Sequence, residues 1–214
     1  MNKYLGHLKT IVKHKIEVGK VCFKFKLYWQ GIVHDLSKFS ITEFAPSAKY
    51  FQGSSSPIDA EKAAKGYSAA WLHHKARNKH HQWYWMDWDN KQNPVPNRIP
   101  SKYVYEMIAD WIGAGKVYGK NANKEWSWSE PYEYYKSHSR VSESEFPIWE
   151  FATQAMIDTI LIDLKEYGLD YVANRVKHDY YGHIFYDNLK TNDGREVLSW
   201  LEDYNELVTK YYMD

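Results

Sequence analysis

The chain has 214 residues, with 28 Lys and Arg against 27 Asp and Glu and a formal charge of +1. A balance this even gives no global field to draw the protein onto a nucleic-acid polyanion or an anionic membrane. The single cysteine, Cys22, excludes a disulfide framework and a multi-thiolate zinc site. It lies in the apolar run VGKVCFKF, where an inert buried thiol is expected. The N-terminal MNKYLGHLKT has no apolar signal core, and no run approaches the length of a membrane span, so a soluble cytoplasmic protein is expected. Aromatic residues make up 17%, with 19 Tyr and 10 Trp, which points to extensive ring packing.

The periodicity is helical nearly throughout. Leu5, Leu8, Val12, Ile16 and the Val18, Val21, Cys22 group recur at three- and four-residue steps and predict a first helix over roughly 3–27. LYWQGIVHDL reads as a second, short helical piece leading into SKFS. Ser40 with Glu43 forms a capping-box pattern, predicting a short helix that Pro46 limits. QGSSSP is a loop, and Ser56-Pro57 opens a helix that continues through AWLHHKARNKHH to about residue 80. DNKQNPVPNRIP is turn-rich and predicts an irregular connection.

Ser101 then caps KYVYEMIADWIGAG, with Val104, Met107, Ile108 and Trp111 on one apolar face. Residues 119–147 read as a loop containing one short helix. IWEFATQAMIDTILIDLKEYG is the cleanest amphipathic helix, its core stripe running through Trp149, Met156, Ile160, Leu161 and Leu164 and its end marked by Gly168. Further helical segments follow near 169–178 and 194–212. With no strand signal and no repeat, the expectation is an all-α bundle. Residues 1–140 form its helical domain, and residues 141–214 form an extension that completes the bundle or offers a homodimer face.

The residues with metal or acid–base chemistry lie on several of these helices. His14 projects from the first, and His34-Asp35 closes the second. His74, Asn78 and His81 share one face if the helix is continuous, and Glu106 and Asp110 are one turn apart. A helical bundle can aim all of these at one interior point. Mixed imidazole and carboxylate donors suit Fe, Mn, Zn, Ni or Co rather than Mg or Ca. An adjacent His-Asp pair can serve two ions at once, the carboxylate bridging them. Such a pair of ions would activate water for in-line displacement at phosphorus, and Lys38 would hold the substrate oxyanion.

The order His14, His34-Asp35, Asp110 resembles the ligand signature of the HD-domain metal-dependent phosphohydrolase superfamily. His34-Asp35-Leu36-Ser37-Lys38 is similar to the His-Asp-x-x-Lys element of its two-metal branch, which also places histidines where His74, His80 and His81 stand. More closely, the chain resembles an HD-like family of unknown function, through KHK at 13–15, HDLSKFS at 34–40, EF at 43–44, AWLHHKARNKHHQWYW at 70–85 and EMIADW at 106–111. The resemblance covers roughly residues 5–140. It implies an HD-like helical bundle and one or two divalent transition metals, Fe or Mn favoured. His14, His34, Asp35 and Asp110 would hold one ion, and His74 with His81 or His80 would help hold a second. The glycine-tyrosine-proline element of cyclic-di-GMP-cleaving relatives is absent, QWYWMDW standing in its place.

Competing roles accompany each residue. His7, one heptad before His14, is the rival ligand on that face. A second pair, His178-Asp179, has only His183 nearby and reads as chance. His73 and His74 point about 100° apart on a helix, as do His80 and His81, so not all four can ligate from a continuous helix. Glu106 is catalytic, salt-bridged to Lys102, or hydrogen-bonded to a ligating histidine. Asn78 orients a ligand or substrate, and Trp83 and Trp85 are core residues or a stacking surface for a nucleobase. The expected function is hydrolysis of a small phosphate ester, a nucleotide above all, with Asp35, Lys38 and Glu106 as the catalytic side chains. A diiron oxygenase using the same ligands and a non-catalytic nucleotide-binding module are the alternatives.

Overall fold

The computed structural model describes residues 2–138, 148–178 and Asp187. Among these the protein is all-α, with eight α-helices and one short antiparallel ribbon. They are α1 (Lys3–Lys24), α2 (Tyr28–Val33), α3 (Ile41–Tyr50), α4 (Pro57–Lys65), α5 (Ala69–Lys75), α6 (Ser101–Asn121), α7 (Glu130–His138) and α8 (Phe151–Lys177). The helix expected over 194–212 lies outside the described residues. No described helix is long and apolar enough to cross a membrane.

The core is built by α1, α6 and α8. Val18, Val21 and Cys22 of α1 meet Val104, Met107, Ile108 and Ile112 of α6, and Met156, Ile157, Ile160, Leu161 and Leu164 of α8 close the same cluster. Gly168, at φ 79°, breaks α8 where the sequence places a helix end, and the chain resumes as helix to Lys177. Cys22 is fully buried, and burial pushes its thiol pKa up, which keeps it inert.

α1 turns a different face inward from the one its aliphatic periodicity suggests. Leu5, Leu8, Val12 and Ile16 are exposed, whereas His7, Thr10, Ile11, His14 and Val18 are buried. The inner face of its first half carries the polar His7 and Thr10, and one turn beyond Thr10 it presents His14 to the candidate site.

Four local expectations are corrected. The helix over 56–80 is split: Gly66 adopts φ 81° and ends α4, and Ser68 caps α5 by accepting from Trp71 N at 3.1 Å. α5 stops at Lys75, and the His74 carbonyl then accepts from the backbone N–H groups of Arg77 and Asn78 at 3.1 Å each and from the Asn78 side-chain amide at 2.8 Å. Ser40 stands at the start of α3 without a side-chain cap bond, and Pro46 sits inside that helix instead of limiting it. Pro100 occupies the cap position of α6, so Ser101 is its first helical residue. The turn-rich connection holds strands Met86–Trp88 and Pro94–Pro96, paired Met86 to Pro96. Its prolines suit a two-stranded edge.

The α1–α6 crossing positions the site and depends on Gly113. A Cβ there would lie 2.5 Å from Val18 Cγ2 and 3.1 Å from the Val18 backbone nitrogen. Gly113→Ala should therefore lower stability by about 1–2 kcal/mol in urea unfolding, because overpacking outweighs the gain in helix propensity. The Val18→Ala, Gly113→Ala pair should be less destabilised than the sum of the single variants.

Candidate metal centre

The centre is organised by a backbone feature. α2 ends at Val33, and Asp35 takes left-handed dihedrals of φ 55° and ψ 24°, which Asp tolerates better than most residues. The Lys15 ammonium donates to the carbonyls of Ile32 at 2.6 Å and His34 at 2.8 Å, holding that helix end. The turn drives His34 and Asp35 inward, each 1% exposed.

The two oxygens of Asp35 face different partners. Oδ2 lies 3.5 Å from His14 Nε2 and 3.3 Å from His34 Nε2. Asp110 Oδ1 completes that group, 2.9 Å from His14 Nε2 and 3.4 Å from His34 Nε2. Oδ1 lies 3.3 Å from His74 Nε2 and 3.4 Å from His80 Nε2. His81 adds its ring to this second group, 4.8 Å from His74 and 4.2 Å from His80 between ring centroids. Two sets of possible ligands result, His14, His34, Asp35 and Asp110 on one side and Asp35, His74, His80 and His81 on the other.

The choice between His80 and His81 dissolves, because both point inward once α5 has ended. His7 joins neither set. It packs between Phe44 and Phe51, and burial lowers its pKa to about 4. His178 ends α8, while Asp179 and His183 lie outside the described residues.

Outer partners fix the ring orientations. His74 Nδ1 donates to Glu43 Oε2 at 2.8 Å, and the other Glu43 oxygen is 2.6 Å from His73 Nδ1. His34 Nδ1 bonds Glu106 Oε1 at 3.0 Å, and His80 Nδ1 is 3.2 Å from the same oxygen. His34, His74 and His80 thus offer Nε2 to the centre, the arrangement of carboxylate–histidine–metal triads, while His73 stays outside it. Glu106 is engaged here, and the Lys102 ammonium lies over the Tyr103 ring instead. Asn78 also donates to Ser37 Oγ at 2.9 Å, so it braces the His74 turn.

The electrostatics fit a cation. Burial alone would lower the His34 pKa, yet Asp35, Asp110 and Glu106 hold it well above the ordinary imidazole range. His81 goes the other way, its pKa driven down by burial and by His80 and His74, so it stays a neutral donor. Burial would raise Asp35, but His34, Lys38 and His74 hold it well below the usual carboxylate range.

The Nε2 atoms of His14, His34, His80 and His81 and both Asp35 oxygens are buried without a directed hydrogen bond. Charged neighbours stand only 2.5–3.5 Å from the oxygens, so the lone pairs are aimed between one another. Each such buried group would otherwise cost about 1–3 kcal/mol. These are the donors that divalent ions would satisfy together.

Lys38 Nζ is 2.5 Å from Asp35 Oδ2 and keeps part of its side chain in solvent. Trp83 lies under the Lys75 ammonium, and the Trp85 indole donates to the Lys79 carbonyl at 2.7 Å. The tryptophan against the histidines is Trp71, 4.9 Å from the His81 ring. Glu43, Ser37, Lys15 and Trp71 are the members that reasoning from sequence did not single out.

Fold and site together define an all-helical protein with a buried imidazole–carboxylate centre able to hold metal ions. The chain belongs to DUF5662, a family of unknown function, whose model matches residues 3–160 and so spans every candidate ligand. No curated protein matches the chain, and no solved structure matches it.

Lys15→Met should unfold about 1–2 kcal/mol more easily than wild type in chemical denaturation, since the two carbonyls at the end of α2 lose a charged donor. A midpoint unchanged within error would show that the turn at Asp35 stands without it.

Proposed function

We propose that the protein is an HD-type metal-dependent phosphohydrolase acting on a small phosphate ester, with a nucleotide as the favoured substrate. The observation that carries this reading is the two-sided Asp35 carboxylate, with unsatisfied imidazole nitrogens facing each of its oxygens. His14, His34, Asp35 and Asp110 would hold one ion, and Asp35, His74, His80 and His81 a second. The resemblance to HD-type enzymes favours Fe or Mn, and the mixed imidazole and carboxylate donors also suit Zn, Ni and Co. Bound ions would supply Lewis acidity and a nucleophile from water at neutral pH.

The chain's own residues supply the rest. Lys38 is the cation placed between the centre and solvent, and its carboxylate neighbours keep it protonated. There it would offset charge gathering on the phosphoryl oxygens. Asp35 and Lys38, three residues apart, fix the distance between the ligand centre and this charge. Glu43 and Glu106 hold the imidazoles and touch no substrate. Trp71 offers an aromatic surface beside His74 and His81 for a base or another planar group.

The test is turnover of a panel of nucleotide mono- and diesters by protein loaded anaerobically with Mn²⁺ or Fe²⁺, wild type beside His34→Ala and Lys38→Met. Wild type should bind two equivalents of metal and release phosphate or cleave a diester without oxygen. His34→Ala should lose metal and activity together. Lys38→Met should keep the metal and lose about 10²–10³-fold in kcat. Turnover that needs oxygen would identify an oxygenase with the same ligands. Nucleotide binding without any turnover would identify a regulatory module.

A further inference from the structure

Glu106 stands behind both ligand sets at once. Its Oε1 accepts from Nδ1 of His34 at 3.0 Å and lies 3.2 Å from Nδ1 of His80. The two rings are adjacent, 4.4 Å between centroids, and their Nε2 atoms diverge, one toward each oxygen of Asp35. His34 serves the set that includes His14 and Asp110, and His80 serves the set that includes His74 and His81. The carboxylate is 5% exposed and is held on α6 one turn before Asp110, so it has little freedom to follow one histidine without disturbing the other.

We infer that Glu106 is a positioning residue that couples the two metal sites, so that an ion seated on His34 orients His80 for the next. The inference rests on the metal-binding reading above. Physically, an ion on His34 Nε2 strengthens the Nδ1–H donor on the far side of that ring and fixes the Glu106 oxygen. The fixed oxygen then selects the tautomer and angle of His80 that present Nε2 to the second set. Glu43 provides the contrast, because of the two sets it supports only the second, through His74.

The experiment is a Mn²⁺ titration of the whole chain, counting free ion by its six-line EPR signal, for wild type, Glu106→Ala, Glu106→Gln and Glu43→Ala. Circular dichroism on the same samples checks that each variant is folded. Wild type should bind two equivalents. Glu106→Ala should weaken both by about 10–100-fold, the usual consequence of removing an outer-shell partner. Glu43→Ala should weaken one equivalent only. Glu106→Gln retains an acceptor oxygen and should fall between wild type and Glu106→Ala.

If Glu106→Ala is folded and weakens a single equivalent, or neither, the coupling is wrong while the metal reading stands. If Glu106→Ala does not fold, Glu106→Gln carries the test, and two equivalents both weaker than in wild type support the coupling. A Gln variant that loses affinity at one equivalent alone overturns it. Wild type that binds no Mn²⁺ overturns the metal reading and this inference with it.

Discussion

One carboxylate with two differently occupied faces sets the plan of this molecule. Asp35 can present Oδ2 to His14 and His34 and Oδ1 to His74 and His80 only from a backbone position that is deeply buried and sharply turned. Its left-handed dihedrals, the brief α2 before it and the Lys15 ammonium on the preceding carbonyls all serve that placement. The rest of the fold brings His14 of α1, His74 of α5 and His80 after it to within 3.5 Å of that one side chain. α6 adds Asp110 beside His14 and His34, crossing α1 closely enough that no side chain fits at Gly113.

Charge balance explains why the surroundings are as they are. Asp35, Glu106 and Asp110 gather negative charge in a poorly solvated volume, where isolated ions are costly. Lys38 offsets part of it, and proton affinity at His34 and His80 rises to meet the rest. Glu43 and Glu106 are held ionised by the histidines they orient. The carboxylates and imidazoles therefore form one electrostatic unit.

Much of this was legible in the sequence. His14, His34, Asp35 and Asp110 were expected together from a family resemblance, and the fold does bring them together, while the all-α class followed from periodicity. Two kinds of feature were not. Helical periodicity cannot tell which stripe faces inward, and α1 exposes Leu5, Leu8, Val12 and Ile16 while it buries the face that holds His7, Ile11, His14 and Val18. Local rules also mislead where tertiary contacts compete. Glu43 fits a capping box with Ser40, yet its carboxylate is taken by the imidazoles of His73 and His74 instead of the helix end. The helix ends after Lys75, and the Asn78 side chain joins the backbone N–H groups on the His74 carbonyl, a break that a continuous helical pattern hides. That break is what lets His80 and His81 both turn inward.

The brevity of the helices that carry the ligands has a consequence for folding. α2 has six residues and α5 seven, well below the length at which an isolated helix holds its shape in water. The aliphatic core shared by α1, α6 and α8 has no such dependence. A cation bound at the centre would thus tie the ligand-bearing segments together, and its binding free energy would add to the stability of the folded chain because the unfolded chain does not hold the site. The short α2 and α5 would gain most from such a cross-link, while the long α1 and α6 bring His14 and Asp110 to it from the aliphatic core.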